Sequence, residues 1–308
     1  MTKNQAAWRA MALSSLLAFA GCAPAGRASK SARETDELVT MQFIRSATVL
    51  VTYRKSNHEV VKILVDPILA DEGTEPPIDY SNGIKIPMMA LPMPKERLIA
   101  GLNAVLLTHD HPDHFDREAE RVLPKNTLIF CQPYDEKRLR EKGFSNLRVV
   151  SDVLRWEGLT ISRFLARHHA GAMGAPPFGE SSSFLLQTKD ESLFFTGDAI
   201  LDDRLKSSLL ASRPKVIVAN TGECQFTKPN PVLAPGITMT LTAAELKEIA
   251  RILPESTIFA VHMDAINACP MTKRALRGYV GREGLDRRVF VPNEGDVMFS
   301  SAAIVAWP

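Results

Sequence analysis

The amino-acid sequence predicts a layered α/β fold, and three observations support this prediction. Short runs rich in β-branched and other apolar residues alternate along the chain with segments of helical spacing. Of the 308 residues, 45% are hydrophobic and 23% are charged, which is typical of a soluble globular protein. Thr242 stands three residues before Glu245, which is the pattern of a capping box at a helix start. Strands and helices that alternate in this way pack as layers of sheet and helix.

The order of these elements along the chain follows from their local patterns. The predicted strands are residues 47–53, 60–65, 103–107, 127–130, 159–165, 182–187, 192–195, 216–218 and 257–261. The first two strands are predicted to pair across a turn at residues 55–57. Helical spacing is present in residues 135–142, 202–210 and 243–253. The segment Asp71–Pro94 is rich in Pro and Gly and predicts a long loop, and such loops are often functional.

Charge is unevenly distributed along the chain. The formal net charge is +2, but five basic residues precede the first acidic residue, Glu34. From Glu34 onward there are 32 basic and 35 acidic residues, so the bulk of the chain is mildly acidic. A broad nucleic-acid-binding surface needs a basic stripe that neutralises phosphates. The sequence therefore predicts no nucleic-acid partner.

The first 21 residues have the organisation of an export signal. Lys3 and Arg9 precede a short apolar run, residues 11–20. This run is too short to span a bilayer stably and fits the core of a secretory signal peptide. The segment Phe19-Ala-Gly-Cys22 resembles a bacterial lipobox, which predicts a signal peptide of the lipoprotein type over residues 1–21 and lipidation of Cys22.

A plain signal peptide, cleaved near residues 23–25, is the alternative to a lipoprotein signal. Residues 22–38 are small, basic and polar, and we predict that they form a flexible tether. We therefore expect an exported lipoprotein of the bacterial cell envelope that faces the periplasm. Membrane attachment is expected through the lipidated Cys22.

The remaining cysteines give no sign of a disulfide framework. They are Cys131, Cys224 and Cys269, an odd number with no close pair. We therefore expect no disulfide, although export would permit one. The three side chains are expected to be small, buried and apolar in character.

Three of the seven histidines fall within six residues, directly after the predicted strand 103–107. The candidate metal ligands in this segment are His109, His111, Asp113 and His114. Imidazole nitrogens and carboxylate oxygens are the ligands that zinc and similar metals take. A turn at a strand end can aim the first two histidines at one point, and Asp113 and His114 at a second point nearby. A solvated polar turn is the alternative, but it leaves this dense cluster unexplained.

This His-x-His-x-Asp-His segment resembles the signature of the metallo-β-lactamase superfamily. Three other segments resemble, in order, the family's early Asp-Pro strand, the strand ending in its bridging Asp and its last-ligand strand: Leu64–Pro67, Phe195–Asp198 and Val261–Met263. The resemblance covers residues 40–308. It implies an α/β fold of the four-layer αββα sandwich type (the metallo-β-lactamase fold) for a catalytic domain at residues 39–308.

Two segments are similar to one branch of this superfamily. Leu91–Pro94 and Val261–Asn267 are closest to the L-ascorbate-6-phosphate lactonases and the N-acyl-phosphatidylethanolamine-hydrolysing phospholipase D. In that branch a His follows the Ile-Asn pair, whereas Ala268 stands there in this chain. A change of activity or specificity is expected if that His contacts substrate or orients His262.

The resemblance also implies a ligand set for two divalent metal ions, with Zn²⁺ favoured and Mn²⁺ or Fe²⁺ as alternatives. The implied ligands of the first ion are His109, His111 and His168, with His169 as the alternative to His168. Those of the second ion are Asp113, His114 and His262, and Asp198 would bridge both ions.

Several of these residues have a second interpretation. Asp198 also suits a plain turn after Gly197. Asp66 would either cap local backbone before Pro67 or hydrogen-bond a metal-bound histidine. His58 is expected to be an exposed hairpin residue. The segment Gly171–Gly179, which contains two prolines, is expected to form a mobile wall of the substrate pocket.

The implied function is that of a metal-dependent hydrolase. Two ions that share a water lower its pKa, so that a metal-bound hydroxide can attack a carbonyl or phosphorus centre. Asp113 would orient the nucleophile or transfer its proton. True β-lactamases of this fold have Cys or Ser where Asp198 stands, so an ester, a lactone or a phosphoester of small-molecule or lipid-like character is the expected substrate. The alternative is a non-catalytic envelope lipoprotein that retains the metal-binding fold.

Overall fold

The computed structural model describes residues 38–169, 171 and 179–302. The predicted signal peptide, Cys22 and all but the last residue of the predicted tether lie outside the described residues. The same holds for most of the predicted pocket wall, Gly171–Gly179. No helix within the described ranges is long and apolar enough to cross a bilayer.

Within the part of the chain that the structure describes, two seven-stranded sheets form the centre of the fold. The strands are β1 (Leu38–Arg45), β2 (Thr48–Arg54), β3 (Val60–Val65), β4 (Ala104–Leu106), β5 (Ile129–Cys131), β6 (Leu147–Val149), β7 (Val153–Trp156), β8 (Leu159–Ala166), β9 (Ser181–Gln187), β10 (Ser192–Phe195), β11 (Val216–Asn220), β12 (Thr257–Val261), β13 (Val289–Phe290) and β14 (Val297–Ser300). Their order is β14-β1-β2-β3-β4-β5-β6 in one sheet and β13-β12-β11-β10-β9-β8-β7 in the other.

Each sheet is antiparallel on one side and parallel on the other. In the first sheet, β14, β1, β2 and β3 pair antiparallel, and β3 to β6 pair parallel. In the second, β7 to β10 pair antiparallel, and β10 to β13 pair parallel. Parallel strands that are covered on both faces usually have continuous apolar sequences. The strand β11 is of this kind, since all five of its residues are buried.

Six α-helices cover the outer faces of the sheets among the described residues. They are α1 (Lys95–Ile99), α2 (Arg117–Val122), α3 (Glu136–Glu141), α4 (Asp203–Ser212), α5 (Ala243–Ile252) and α6 (Lys273–Arg282). The helix α5 starts with the predicted capping box, since Thr242 Oγ1 accepts from the Glu245 N–H and the Glu245 carboxylate accepts from the Thr242 N–H. The side chains of Asp116 and Asp202 cap the N-termini of α2 and α4, respectively.

Apolar side chains place these elements in four layers. Phe43 and Phe130 from the first sheet and Phe184 and Phe259 from the second belong to one core between the sheets. A second cluster joins the outer face of the first sheet to α1, α2 and α3. A third joins the outer face of the second sheet to α4, α5 and α6. The order helix, sheet, sheet, helix confirms the predicted four-layer αββα sandwich.

The prediction of no disulfide is wrong, because Cys224 and Cys269 are bonded to each other. The two cysteines are 45 residues apart, and each follows one of the neighbouring parallel strands β11 and β12. Spacing in the sequence does not reveal this proximity, which arises from the sheet order. Cys131 is a buried free thiol, as expected, and burial raises its pKa to about 12.

Candidate metal centre

The chemistry-bearing side chains lie where strands of both sheets end. Asp66 follows β3, His109 lies three residues after β4, and His168 lies two residues after β8. Asp198 and His262 follow β10 and β12. Rigid, hydrogen-bonded strands therefore position short loops that face one another across the edge of the sandwich.

Three histidines form a first donor group. The rings of His109 and His111 have centroids 4.4 Å apart, and His168 lies 5.0 Å from each of them. His168 Nε2 is 3.2 Å from His111 Nδ1. One ligand nitrogen from each of the three lies within 4.8 Å of the others. Of the two histidines that the sequence offered here, His168 belongs to this group. Its neighbour in the chain, His169, is buried but lies outside the group.

A second donor group lies directly beside the first. It consists of Asp113, His114, Asp198 and His262, with ligand atoms within 4.8 Å of one another. His114 Nε2 is 3.1 Å from both His262 Nε2 and Asp198 Oδ1. Asp113 Oδ2 is 3.7 Å from His262 Nε2. Residues 148 positions apart in the chain therefore meet in one cluster.

The Asp198 carboxylate lies between the two groups. Its Oδ1 faces His114 and His262, while its Oδ2 is 3.8 Å from His168. Gly197 has a φ of +57°, and a Cβ there would lie 2.7 Å from the Ser182 carbonyl oxygen, so only glycine fits before this carboxylate.

Asn220 also holds the Asp198 carboxylate, but it was not identified as a site residue from the sequence. Asn220 Nδ2 donates to Asp198 Oδ1 over 2.8 Å. The signal that could have found Asn220 is a polar residue at the carboxyl end of the buried strand β11. Such residues face the ligand side of parallel sheets.

The donor set fits divalent metal ions. His109 Nε2 is buried and makes no hydrogen bond within the described part of the chain. Two nitrogens that each lie 2.0–2.1 Å from a tetrahedral zinc ion are about 3.4 Å apart. The closest histidine nitrogens are 3.2 Å apart within the first group and 3.1 Å apart within the second. Both distances match those of two nitrogens that bind the same ion.

The protonation states favour metal binding in the first group. Burial, together with the neighbouring His114 and His111, holds the pKa of His109 well below its usual value. Burial likewise lowers the pKa of His168 to about 4. Both rings are therefore neutral at pH 7, and neutral imidazole is the form that binds metal.

The second group contains a charge pair. Burial opposes a charge on His114, but the carboxylates of Asp198 and Asp66 outweigh burial and raise its pKa well above the usual value. Burial also opposes the charge on Asp198, but His114 and His262 hold the pKa of this carboxyl well below its usual range. The carboxylate thus keeps the negative charge that a cation in this group would require.

The Asp66 carboxylate contacts the candidate ligand His114, which is one of the two roles weighed from the sequence, and the backbone N–H that it accepts from belongs to the remote Thr108 and not to the local segment before Pro67. Its Oδ2 is 2.8 Å from His114 Nδ1 and accepts from the Thr108 hydroxyl over 2.7 Å. Its Oδ1 accepts from the Thr108 N–H over 2.8 Å. A carboxylate that holds the far nitrogen of a ligand histidine fixes its tautomer and raises its basicity. Asp66 therefore fixes the start of the His109–His114 loop and the ring of His114.

We expect Asp66→Asn to weaken binding of a metal ion by the second donor group, to which His114 belongs. The amide replaces an accepting oxygen with a donor, so Thr108 and His114 cannot both keep their bonds. The expected loss is about 10–100-fold in affinity for that ion. Zn²⁺ titration calorimetry measures it, with Asp152→Asn, an exposed aspartate, as the matched control. Unchanged affinity in Asp66→Asn would contradict the role given to this carboxylate.

Asp135 supports the metal-binding loop from the α3 side. Its Oδ2 accepts from the Asp110 N–H over 3.0 Å and from Gln132 Nε2 over 2.8 Å. Burial raises the pKa of Asp135 to about 7, and the two hydrogen bonds offset this only in part. Asp135 therefore bonds the backbone between His109 and His111.

We expect the stability contributed by Asp135 to fall as pH rises. Its folded pKa lies above the unfolded value of 3.8, so the contribution is complete below pH 3.8 and is lost as pH rises through about 7. Between pH 5 and 8, wild type should lose about 1–3 kcal/mol relative to Asp135→Asn. Chemical denaturation at both pH values tests this, with Asp286→Asn at an exposed position as control. Parallel pH profiles for wild type and Asp135→Asn would contradict it.

A cavity of about 740 Å³ opens onto both donor groups. One side is apolar and includes Ile78, Ile86, Phe226, Val232 and Met239. The other side carries charges, and the buried Asp110 carboxylate pairs there with Lys142 (2.5 Å) and Arg138 (3.2 Å). Ala268, the departure noted in the sequence, lines this cavity, whereas His58 is exposed in the β2–β3 hairpin, as predicted.

Comparisons with known proteins agree with this architecture. A family model described as a beta-lactamase superfamily domain matches residues 62–263. The UPF0173 protein YddR of Bacillus subtilis (strain 168) is 28% identical over 257 residues, covering 82% of this chain and 96% of that protein. The residues matched by the family model include the whole candidate site, from Asp66 to His262.

Two solved structures are similar over nearly the same length. Isothiocyanate hydrolase from Delia radicum gut bacteria is 31% identical, with a TM-score of 0.76, and the match covers 85% of this chain and 100% of that one. A possible metal-dependent hydrolase from Veillonella parvula DSM 2008 is 25% identical, with a TM-score of 0.76, and the match covers 85% and 99%. The branch suggested by the sequence stays a prediction. Because the family model spans well over half of the chain, the protein belongs to the metallo-β-lactamase superfamily and is a metal-dependent hydrolase of this fold.

Proposed function

We propose that the protein is a binuclear hydrolase that holds two divalent ions, with Zn²⁺ favoured over Mn²⁺ or Fe²⁺, and cleaves an ester, a lactone or a phosphoester. The observation that carries this proposal is the Asp198 carboxylate, which has one oxygen toward each donor group. His109, His111 and His168 would hold one ion. Asp113, His114 and His262 would hold the other, and Asp198 would contact both.

Bound divalent ions would supply a water of lowered pKa and positive charge that stabilises a developing oxyanion. The residues of the chain position the reactants around this centre. Asp113 is half-buried and lines the cavity, so its carboxylate can orient the attacking water and accept its proton. Such a mechanism needs no serine or cysteine nucleophile.

The cavity supports a small-molecule or lipid-like substrate. Its apolar side can bury an alkyl or aryl group next to the metal centre. The cationic groups of the opposite side are already paired, as Lys142 and Arg138 contact Asp110. Residues 34–308 carry 32 basic and 35 acidic side chains, and this balance disfavours nucleic acid as a partner.

An isothiocyanate is a second candidate substrate, because the relative that is 31% identical is an isothiocyanate hydrolase. The central carbon of an isothiocyanate is an electrophile, as a carbonyl carbon is, and the same attacking water would serve. The apolar side of the cavity suits its organic substituent.

A substrate panel with the purified full-length protein tests the proposal. We expect Zn²⁺-dependent turnover of at least one class among lactones, esters, thioesters, phosphodiesters and isothiocyanates. His111→Ala should abolish it, whereas the exposed His58→Ala should not change it. Two bound ions with no turnover of any class would favour the non-catalytic alternative.

We also propose that the protein is an exported lipoprotein of the bacterial envelope, attached to the membrane through Cys22. The disulfide between Cys224 and Cys269 supports export, because disulfides persist in oxidising compartments. Metabolic labelling with a fatty-acid analogue in a bacterial host tests the attachment. Wild type should incorporate the label and Cys22→Ala should not, whereas equal labelling of both would contradict the proposal.

A further inference from the structure

The disulfide between Cys224 and Cys269 lies directly behind His262. The Sγ atoms are 3.5 Å and 3.4 Å from His262 Nδ1. The opposite nitrogen, Nε2, faces the second donor group at 3.1 Å from His114 Nε2. All three side chains are buried, so the ring of His262 lies between the metal centre and the disulfide.

The two histidines of the second group are held in different ways. His114 Nδ1 contacts the Asp66 carboxylate at 2.8 Å. The groups in contact with His262 Nδ1, among the described residues, are the two disulfide sulfurs. A ligand histidine is usually held by a carboxylate, a carbonyl or a water, and sulfur is a weak acceptor. The orientation of His262 therefore depends on packing against the disulfide more than on a strong hydrogen bond.

The packing around this disulfide leaves little room. A Cβ on Gly222 would lie 2.3 Å from the His262 carbonyl oxygen and 2.8 Å from Cys224 Sγ. Two thiols cannot approach as closely as two bonded sulfurs, so reduction requires a neighbouring group to move. The ring of His262 is in contact with both sulfurs, so we expect this movement to displace it.

The backbone around the disulfide has its own connections. The Gln225 N–H donates to the Ala268 carbonyl over 2.9 Å, and the Met271 N–H donates to the Gly222 carbonyl over 3.1 Å. These bonds join the loops after β11 and β12 independently of the sulfurs. Reduction should therefore leave the loops in place and act on the side chains between them.

We propose that the disulfide between Cys224 and Cys269 positions His262, so that its reduction to two thiols selectively weakens binding of the ion in the second group. This inference rests on the proposed role of His262 as a metal ligand. A dithiol such as dithiothreitol supplies two electrons and two protons to the sulfurs and leaves as a cyclic disulfide.

The test compares the full-length chain before and after reduction by dithiothreitol, which is then removed anaerobically because it binds metal. Mass spectrometry of the peptide pair containing Cys224 and Cys269 verifies each state. Stepwise Zn²⁺ titration should give an affinity for the second ion at least about 10-fold weaker after reduction. The first ion should stay within about twofold, and the visible spectrum of the Co²⁺-loaded second site should change.

Matched cysteine variants separate positioning from general stability. Cys131→Ala lacks a buried thiol remote from His262 and should remain sensitive to dithiothreitol. The double variant Cys224→Ala, Cys269→Ala should give the same titration with and without dithiothreitol. Equal weakening of both ions, or unchanged affinities after complete reduction, would overturn the inference. A chain that binds neither ion in the oxidised state would contradict the proposed function as well.

Discussion

Asp198→Asn is expected to lower kcat by on the order of 10³-fold and to leave fewer than two ions bound per chain. The Asp198 carboxylate has Oδ1 at 3.1 Å from His114 Nε2 and Oδ2 at 3.8 Å from His168 Nε2. An amide offers one oxygen and no negative charge, so it cannot serve both donor groups. Steady-state kinetics and metal analysis of the purified variant measure the two effects.

Asp190→Asn is the matched control for this prediction. Asp190 is exposed in the β9–β10 hairpin, and its replacement should change neither kcat nor metal content. A fully active Asp198→Asn enzyme with two ions would contradict the bridging position given to this residue. Equal thermal stability of the two variants with their ions removed would show that folding is not the cause of the loss.

Arg45→Met is expected to give the largest loss of stability, about 3–5 kcal/mol. Arg45 is fully buried, and its guanidinium donates to the carbonyls of Met89, Ile68 and Ala70 over 2.7–2.9 Å. Methionine fills much of the same space but leaves these carbonyls without their donor. The melting temperature should fall by roughly 6–15 °C.

The same replacement should also affect the cavity. Two of the carbonyls that Arg45 holds lie just before the long Pro-rich loop, and that of Met89 lies within it. Ile78 and Ile86 of this loop line the cavity. We therefore expect KM to rise more than kcat falls for any substrate found in the panel. Arg54→Met, an exposed arginine at the end of β2, is the control and should leave both stability and KM unchanged. A melting temperature of Arg45→Met within about 2 °C of wild type would contradict the account.

Local patterns in the sequence predicted those strands whose residues form a clear apolar run. Val60–Val65, Ser192–Phe195 and Thr257–Val261 were predicted with the bounds they have in the structure. Short or partly exposed elements were missed, such as β6 and β7, because three or four residues give too little periodicity. The strand β1 starts at Leu38, which the sequence assigned to the end of the tether.

The candidate site was predicted in a similar way. The dense His109–His114 segment could be recognised locally, and the resemblance added the remote residues His168, Asp198 and His262, which the structure brings beside it. The disulfide could not be predicted, because its contact arises from the order of strands in a sheet. Asn220 was missed although it is a polar residue at the end of a buried strand, and its contact with Asp198 also depends on the strand order. The choice of His168 over His169 likewise depends on the direction of the chain after β8.

Metal stoichiometry tests the central claim most directly. The full-length protein, stripped of metal with a chelator and titrated with Zn²⁺, should bind two ions per chain. Hydrolase activity should appear only as these sites fill, and His111→Ala and His262→Ala should each lose one of the two ions. Binding of no more than one ion, or full activity in the metal-free protein, would contradict the assignment of the two donor groups to a binuclear centre.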